Sequence, residues 1–512
     1  MLSIKLYRGQ PVTIKTENTL TLAMLEKHLW GAADILRGRI DSSDYKHYIF
    51  GLLFFKRLSD VWQEEFENRM AKYHDAELAA DPDEHRFHIP KGAFWHEIKQ
   101  HTTNIGEHLN SAFHKIEDAN LRLKDIFQDV DFNNKQRFPD ATLQLLIQHF
   151  DKYSLCNADV SADMLGNAYE YLIKQFADDS GKKGGEFYTP EGVVKLMVKV
   201  LAPEDGMSVY DPTCGSGGML IQSYHYLQEN GKNAKSLSLY GQEMNLNTWA
   251  ICKMNMFLHD IDDAIIERGD TLLNPRNLLS EGSKGLKQFD RVIANPPFSL
   301  KEWGYDSWNN GDPFGRDAYG CPPKSYGDLA FVQHMVASLK DSGKMAVVLP
   351  HGVLFRGGSE GKIREGMLKD DIIEAVIGLA SNLFYGAGIP ACVLVVNKAK
   401  PANKRGKVII INGAEEYKEG KAQNTLTAEN VQRFVQSYNS YQDIERFARI
   451  VPMQEIAAND YNLNIARYVH TKEDEVLIDV KSELHSLKEL IAKRNDAEST
   501  MLTHLKGLGY DG

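Results

Sequence analysis

The segment Asn295-Pro296-Pro297-Phe298 follows the apolar run Val292–Ala294, which is typical of a buried strand. An amine on an aromatic ring is a poor nucleophile, because its lone pair is delocalised into the ring. The side-chain oxygen of Asn295 and the carbonyl of Pro296 can together accept both hydrogens of such an amine. Pro296 and Pro297 stiffen the backbone, and Phe298 offers a face on which a ring can stack. These four residues therefore predict a catalytic site for an aromatic amine.

A second segment whose residues could bind a ligand is the glycine turn Asp211–Gly218, which follows a predicted strand and precedes a predicted helix. Its glycines let the backbone approach a ligand without a Cβ atom in the way. Phosphate-binding motifs fit poorly, because no Gly-x-x-x-x-Gly-Lys-Ser/Thr occurs and the turn lacks the third glycine of a dinucleotide site. The cofactor-binding residues that we predict in this turn are Asp211, Thr213, Gly215, Ser216 and Gly217.

Two acidic residues, Glu243 and Asp270, follow the second and third predicted strands. A carboxylate at the first position can accept from both hydroxyls of a ribose, and one at the second position from an adenine amine. Either acid alone would be an ordinary solvated residue at a strand end. In this order, the two acids and the glycine turn predict a site for a zwitterionic ligand that carries a ribose.

These residues depend on the elements that position them. Short β-branched runs alternate with amphipathic stretches such as Leu246–Leu258 and Leu329–Leu339, and this alternation predicts a doubly wound, mostly parallel α/β sheet. The carboxyl ends of parallel strands meet at one edge, where the residues above would come together. The predicted strands are Met207–Tyr210, Ser236–Gln242, Ala264–Arg268, Arg291–Ala294, Met345–Leu349, Ile372–Ile377 and Cys392–Asn397.

Three regions of the chain differ in their pattern of apolar residues. Residues 1–160 predict an N-terminal helical domain, residues 161–413 the catalytic domain, and residues 414–512 a C-terminal helical region. The long loop Ser299–Tyr326 is rich in Gly, Pro, Trp and Tyr, which predicts a functional loop. An apolar seam near the end fits equally a helix packed on its own domain and a helix docked on another subunit. The seam comprises Leu477, Val480, Leu484, Leu487 and Ile491.

The composition limits how the chain could bind DNA and in which compartment it works. Its 512 residues carry a formal net charge of −11, whereas a protein that grips DNA alone usually has a basic footprint. DNA binding would therefore need a local basic groove or a partner that supplies phosphate contacts. Five dispersed cysteines, with no Cys-x-x-Cys pair, predict reduced thiols in a cytoplasm and no structural zinc. The sequence shows neither a secretion signal nor a run long enough to span a bilayer.

The pattern Asp-Pro-x-x-Gly-x-Gly-Gly followed by Asn-Pro-Pro-Phe resembles the amino-methyltransferases that make N6-methyladenine in DNA. Over most of its length, the chain is similar to the modification subunit of type I restriction-modification systems. The segment Gly-Gly-Glu-Phe-Tyr-Thr-Pro at residues 184–190 precedes the glycine turn, which is the order of the gamma group. Further matching segments are Gly327–Phe331, Val348–Phe355 and Gly386–Pro390.

The resemblance implies S-adenosylmethionine as the methyl donor, with no metal needed, and a DNA adenine that leaves the duplex to react. It also implies the class I methyltransferase sheet, with one antiparallel strand at the edge. Thr213 stands where many amino-methyltransferases have a phenylalanine, but small residues are usual there in the type I subgroup. The family resemblance also implies that four residues contact the methionine portion of the cofactor: Glu186, Phe187, Tyr188 and Thr189.

The resemblance also implies partners. A separate specificity subunit reads the DNA sequence, two modification subunits flank it, and restriction subunits cleave. An acidic modification subunit is then tolerable, because the specificity subunit carries sequence recognition.

Other activities fit parts of this pattern. Asn-Pro-Pro followed by an aromatic residue also serves enzymes that methylate protein glutamine or RNA guanine, and the same acceptors suit the N4 amine of cytosine. A non-catalytic scaffold would keep the fold without needing Asn295, Phe298 or the glycine turn. A self-contained restriction enzyme is disfavoured, because the sequence shows neither a nuclease motif nor a Walker A loop.

Overall fold

A computed structural model describes residues 20–38, 40, 42–186, 188–280, 282–421, 423–470 and 480–507. Its helices α1 to α17 are Leu22–Leu36, Ser42–Tyr73, Ala76–Ala79, Trp95–Ile98, Ile105–Ala119, Asp140–Phe150, Ala162–Ser180, Glu191–Leu201, Gly218–Glu229, Leu246–Leu258, Tyr305–Asn309, Asp328–Ala337, Gly358–Lys369, Ala428–Ser440, Met453–Ala458, Ile465–Tyr468 and Val480–Gly507. Its strands β1 to β9 are Ser208–Asp211, Ser238–Glu243, Ile265–Arg268, Phe289–Ala294, Leu339–Pro350, Ile373–Gly378, Ala391–Asn397, Lys407–Asn412 and Ala448–Pro452.

The strands form one sheet in the order β3-β2-β1-β4-β5-β7-β6-β8-β9. Strands β1 to β6 and β8 run in one direction, whereas β7 and β9 run against it. The predicted mostly parallel sheet is therefore confirmed, and each predicted strand overlaps one of β1 to β7. The expectation of a single antiparallel strand, at the edge, was wrong in number: β9 is an antiparallel edge strand, but β7 is a second one. Strand β7 lies inside the sheet, because β6, β8 and β9 continue beyond it.

Helices α1, α2, α5 and α6 pack around an aromatic core in the N-terminal region. The hydroxyl of Thr21 caps α1 by accepting from the N–H of Met24 at 3.3 Å. Phe113 of α5 stacks on Phe127 with the ring centroids 4.2 Å apart. The same core contains apolar side chains of α7 and of α10, and α10 packs on β2 and β3. The predicted division at 160/161 therefore separates two segments of the sequence but not two cores.

A surface ion pair joins the same two parts of the chain. The guanidinium of Arg86 donates to Asp262 at 2.7 Å and lies 3.1 Å from Asp260, just beyond the end of α10. Such partly exposed pairs add little stability. The shared apolar core therefore supplies most of the attachment between the N-terminal helices and the sheet.

Residues 414–512, predicted as a C-terminal helical region, contain a strand as well as helices. Strand β9 pairs with β8, with Ala448 opposite Ile411, and α14 buries Val431 and Phe434 in the core that also contains α8. Residues up to Tyr468 thus complete the sheet of the predicted catalytic domain. The four β-branched residues of β8, Val408–Ile411, were the available sequence signal for this extension.

Helix α17 carries the predicted seam, except that Leu477 and the side chain of Val480 lie outside the described residues. Its apolar side chains are largely exposed, 49% for Leu484, 53% for Leu487 and 44% for Ile491. These three side chains are therefore not packed on the rest of the described chain. No helix within the described ranges has the length and apolar character needed to cross a membrane.

The contact between α7 and α10 yields a stability prediction. Gly166 of α7 lies against His259, and a Cβ atom at Gly166 would come within 2.3 Å of the imidazole. We expect Gly166→Ala to lower the free energy of unfolding by about 1–3 kcal/mol, the usual cost of overpacking, measured as a lower thermal midpoint. Gly357→Ala is the matched control, since its Cβ would meet open space. Equal midpoints for the two variants would contradict the tight contact.

Candidate active site

Strands β2, β1 and β4 are neighbours, so their carboxyl ends bring the predicted site residues to one edge of the sheet. Asp211 at the end of β1 lies beside Gly241 of β2, and Tyr210 lies beside Val292 of β4. A first cavity of 410 Å³ and a second cavity of 570 Å³ adjoin there. The residues that line both cavities are Gly185, Tyr188, Thr213 and Asn295.

The glycine turn joins β1 to α9 and is held by β2. Gly215 and Gly217 have φ angles of 53° and 86°, in the left-handed region that favours glycine. The N–H of Gly215 donates to the Glu243 carboxylate at 3.0 Å. A Cβ atom on Gly217 would lie 2.5 Å from Met256 of α10, and Gly217 lines neither cavity. Gly217 thus serves the packing of the turn, whereas Gly215 lies on the wall of the first cavity.

Burial controls the electrostatics of the two acids nearest the turn. Asp211 is 1% exposed, and its burial, together with the charge of Glu243, raises its pKa to about 8 although the N–H of Thr213 donates to it. Burial also raises the pKa of Glu243, against the N–H groups of Asn245 and Gly215. Both carboxylates would be favoured in their charged form by a nearby cation.

Asn295 follows β4 and lies where the two cavities meet. Its Nδ2 donates to the hydroxyl of Thr189 at 3.1 Å, which orients the amide. Among the described residues, nothing donates to the buried Oδ1 of Asn295, and the buried Oγ1 of Thr213 also has no partner. Buried polar atoms nearly always have partners. These two atoms are therefore free to form hydrogen bonds with a ligand in the cavities.

Aromatic rings surround the second cavity. Phe298 meets Phe384 edge to face, and Tyr188 meets Tyr385 in the same way, with centroids 5.8 Å apart in both pairs. Phe384 and Tyr385, which lie in the loop between β6 and β7, were not among the predicted site residues. The available signal was their position directly before the matching segment Gly386–Pro390.

Comparison with known proteins agrees with this architecture. Residues 160–476 match the N-6 DNA Methylase family, and residues 25–150 match the HsdM N-terminal domain. The chain is 34% identical to the type I restriction enzyme MjaVII methylase subunit of Methanocaldococcus jannaschii, over 97% of this chain and 86% of the relative. It belongs to the type I methylase subunits.

Two further relatives support the same family. The MpnII methylase subunit of Mycoplasma pneumoniae is 31% identical, over 95% of this type I methylase subunit and 96% of the relative. A crystal structure of the type I restriction-modification system methyltransferase subunit from Streptococcus thermophilus has a TM-score of 0.78 and 34% identity. It covers 88% of this chain and 100% of that one.

The long loop of this type I methylase subunit is anchored at the site. Arg316, 2% exposed, donates to the carboxylate of Asp312 at 2.9 and 2.6 Å and to the carbonyl of Leu272 at 2.7 Å. The N–H of Leu272 in turn donates to the carboxylate of Asp270 at 2.8 Å. The loop thereby holds the segment that carries the predicted adenine-binding acid. Sequence reasoning missed Arg316, for which the four-residue spacing from Asp312 was a weak signal.

The structure brings most of the predicted site residues together. The side chain of Glu186 and the whole of Phe187 lie outside the described residues, and Gly217 is the exception noted above. The first cavity is lined by Tyr188, Thr189, Asp211, Thr213, Gly215, Ser216 and Asn295. The second cavity is lined by Tyr188, Thr213, Glu243, Asp270, Asn295, Pro296, Pro297 and Phe298. Their roles in binding and catalysis remain predictions.

The anchored loop can be tested through its buried ion pair. Arg316→Met should lower the free energy of unfolding by about 3–5 kcal/mol, because Asp312 would stay buried without its partner. Thermal unfolding would measure this loss. The double variant Asp312→Leu/Arg316→Met removes both charges and should recover part of the stability. A double variant no more stable than the single one would show that other contacts hold the loop.

Proposed function

We propose that this methylase subunit transfers a methyl group from S-adenosylmethionine to N6 of adenine in DNA. The observation that carries the proposal is the buried Oδ1 of Asn295, which lacks a partner among the described residues and lies where two cavities meet. One cavity contains the glycine turn, and the other has the aromatic rings together with Glu243 and Asp270. A hydrogen-bond acceptor at the junction of the two cavities suits a target amine in one cavity that reacts with a methyl group held in the other.

The residues present fit S-adenosylmethionine, which supplies a methyl group on a positively charged sulfur when it is bound. Glu243 is a partly buried acceptor for the ribose hydroxyls, and the hydroxyl of Thr213 lacks a partner among the described residues at the junction of the cavities. Asp211 is buried with a raised pKa, so a cationic ligand nearby would stabilise its charged form. The glycine turn leaves room for close backbone approach on the same wall.

The catalytic role falls on Asn295 and Pro296. The Oδ1 of Asn295 and the carbonyl of Pro296 accept the two hydrogens of the target amine, which frees the nitrogen lone pair from the ring. Thr189 accepts from the Nδ2 of Asn295 at 3.1 Å and so keeps the Oδ1 turned to the amine. These acceptors act most strongly in the transition state, where positive charge develops on the nitrogen. Correct orientation of the reactants contributes the rest.

The second cavity suits an adenine that has left the duplex. A base cannot reach Asn295 while it is stacked, so the nucleotide must turn out of the helix. Phe298 and Phe384 offer aromatic faces and edges around the space, which holds 570 Å³. Stacking on such rings stabilises a base by about 1–3 kcal/mol.

Partners complete the proposed activity. The net charge of −11 suits a subunit that receives much of its DNA affinity from elsewhere. We propose that a specificity subunit supplies this affinity. Two copies of the present chain would flank it, and restriction subunits would join in the full complex. The exposed apolar side chains of α17 form a surface for that docking. Five free cysteines suit the reducing cytoplasm.

The first prediction from this proposal concerns the chemistry. Asn295→Ala removes an acceptor that acts mainly in the transition state, so turnover should fall about a hundred-fold or more. The dissociation constant for S-adenosylmethionine should change little. Transfer of labelled methyl to DNA by the co-purified complex would measure the first, and calorimetry the second. Identification of the labelled base would separate adenine from cytosine.

Asn230→Ala, on the exposed end of α9, is the matched control and should keep full turnover. Near-normal methylation by Asn295→Ala would rule out the proposed role. Label in RNA or protein instead of DNA would move the chain to another amino-methyltransferase activity.

The second prediction concerns assembly. A chain that ends at Tyr468 keeps all strands of the described sheet, so it should fold and bind S-adenosylmethionine. It should fail to co-purify with the specificity subunit encoded beside it. Leu484→Glu with Leu487→Glu in the full chain should reproduce this loss, whereas Lys493→Glu on the opposite face of α17 should not. Retained co-purification of the truncated chain would place the interface elsewhere.

A further inference from the structure

We infer that Glu170 and Lys174 of α7 bind the amino-acid end of the cofactor, Glu170 its ammonium group and Lys174 its carboxylate. The inference rests on the proposed function and deepens it. It assigns recognition of the zwitterion to a helix that otherwise packs into the N-terminal core.

The two cavities indicate which part of the cofactor the side chains of Glu170 and Lys174 would contact. Glu243 and Asp270, the predicted acceptors for ribose and adenine, line the second cavity. Asn295 lies at the junction, where the methyl group must meet the amine. The amino-acid end of the cofactor is therefore left to the first cavity, which Glu170 and Lys174 line together with the glycine turn.

Glu170 is a half-buried carboxylate without a partner. Within the described chain, no group donates a hydrogen bond to it, and the nearby Lys195 is paired with Glu191 at 2.5 Å. Burial and then the charge of Glu191 raise the pKa of Glu170 to about 7, and Lys195 opposes this only in part. Holding an unpaired carboxylate beside a cavity is costly, and a ligand ammonium would remove that cost.

Lys174 follows Glu170 by four residues on the same helix. Glutamate and lysine in this order usually pair across one turn, yet among the described ion pairs these two do not meet. Their side chains leave α7 roughly 6 Å apart along its axis. An amino-acid zwitterion presents its ammonium and carboxylate on one carbon, so it can bridge two oppositely charged side chains at that spacing.

A second acceptor on another helix supports the same location for the ammonium. Asn255 of α10 is 0% exposed and lines the first cavity. Its Nδ2 donates to the carbonyl of Ser216 at 2.9 Å, whereas its buried Oδ1 has no partner in the described chain. The wall also carries more acids than bases: besides Lys174, its ionisable residues are Glu26, Glu170, Glu191 and Asp211. A cationic group is therefore favoured there.

The test compares ligands that differ only at the amino-acid end, by calorimetry on the full chain. S-adenosylhomocysteine carries both charged groups, decarboxylated S-adenosylhomocysteine keeps only the ammonium there, and 5′-methylthioadenosine has neither, while all three are neutral thioethers at sulfur. Glu170→Gln should weaken the first two roughly ten- to hundred-fold, as for a lost charged hydrogen bond, and leave 5′-methylthioadenosine unchanged. Lys174→Gln should weaken S-adenosylhomocysteine alone, by about two- to five-fold because it is exposed.

Glu365→Gln, a surface carboxylate paired with Lys369, is the matched control and should alter none of the affinities. Unchanged binding of S-adenosylhomocysteine by Glu170→Gln, or equal losses for all three ligands, would overturn the inference and leave the proposed function standing. If Glu170→Gln does not fold, Lys174→Gln decides, since equal effects on S-adenosylhomocysteine and its decarboxylated relative would refute the bridge. Failure of the wild-type chain to bind any of the three would instead refute the proposed function.

Discussion

The parallel alignment of β2, β1 and β4 is the constraint on which the whole site depends. Neighbouring parallel strands end at the same edge, so the turn after each strand contributes one functional group there. The glycine turn, Glu243 and Asn295 meet for this reason, and the bond from the Gly215 N–H to Glu243 at 3.0 Å ties two of them together. A shift of one residue in register would turn every side chain of the shifted strand to the other face of the sheet.

The buried cations Lys400 and Arg316 are fully paired, whereas two buried polar atoms of the site are not. At the far end of the sheet, the buried ammonium of Lys400 donates to Asp371 at 2.6 Å and to two carbonyls. Arg316 is saturated in the same way. In contrast, the Oδ1 of Asn295 and the Oγ1 of Thr213 have no partner among the described residues. Each such atom costs about 1–3 kcal/mol, a cost that the large apolar cores can sustain and that a ligand would offset.

The N-terminal helix α1 of this type I methylase subunit contributes to the wall of the first cavity. Leu22 and Glu26 of α1, and Asn167 of α7, line the first cavity beside the glycine turn. Helix α7 and helix α10 also contribute to the N-terminal core. Motion of the helical region relative to the sheet would therefore change the cavity as well as the core, because close-packed interiors transmit displacement.

The local features of this protein were determined by the sequence alone. Short apolar runs predicted the strands β1 to β7. The glycine turn and the Asn-Pro-Pro-Phe segment are made of consecutive residues, so they could be recognised in the sequence. The family resemblance depends on the same segments. The tertiary structure decided which distant residues meet. It placed Phe384 and Tyr385 against Tyr188 and Phe298, and it added β8 and β9 to the sheet. It also left Leu484 and Leu487 exposed. Periodicity and turn chemistry act over a few residues, whereas strand order and cavity walls depend on packing between segments far apart in the chain.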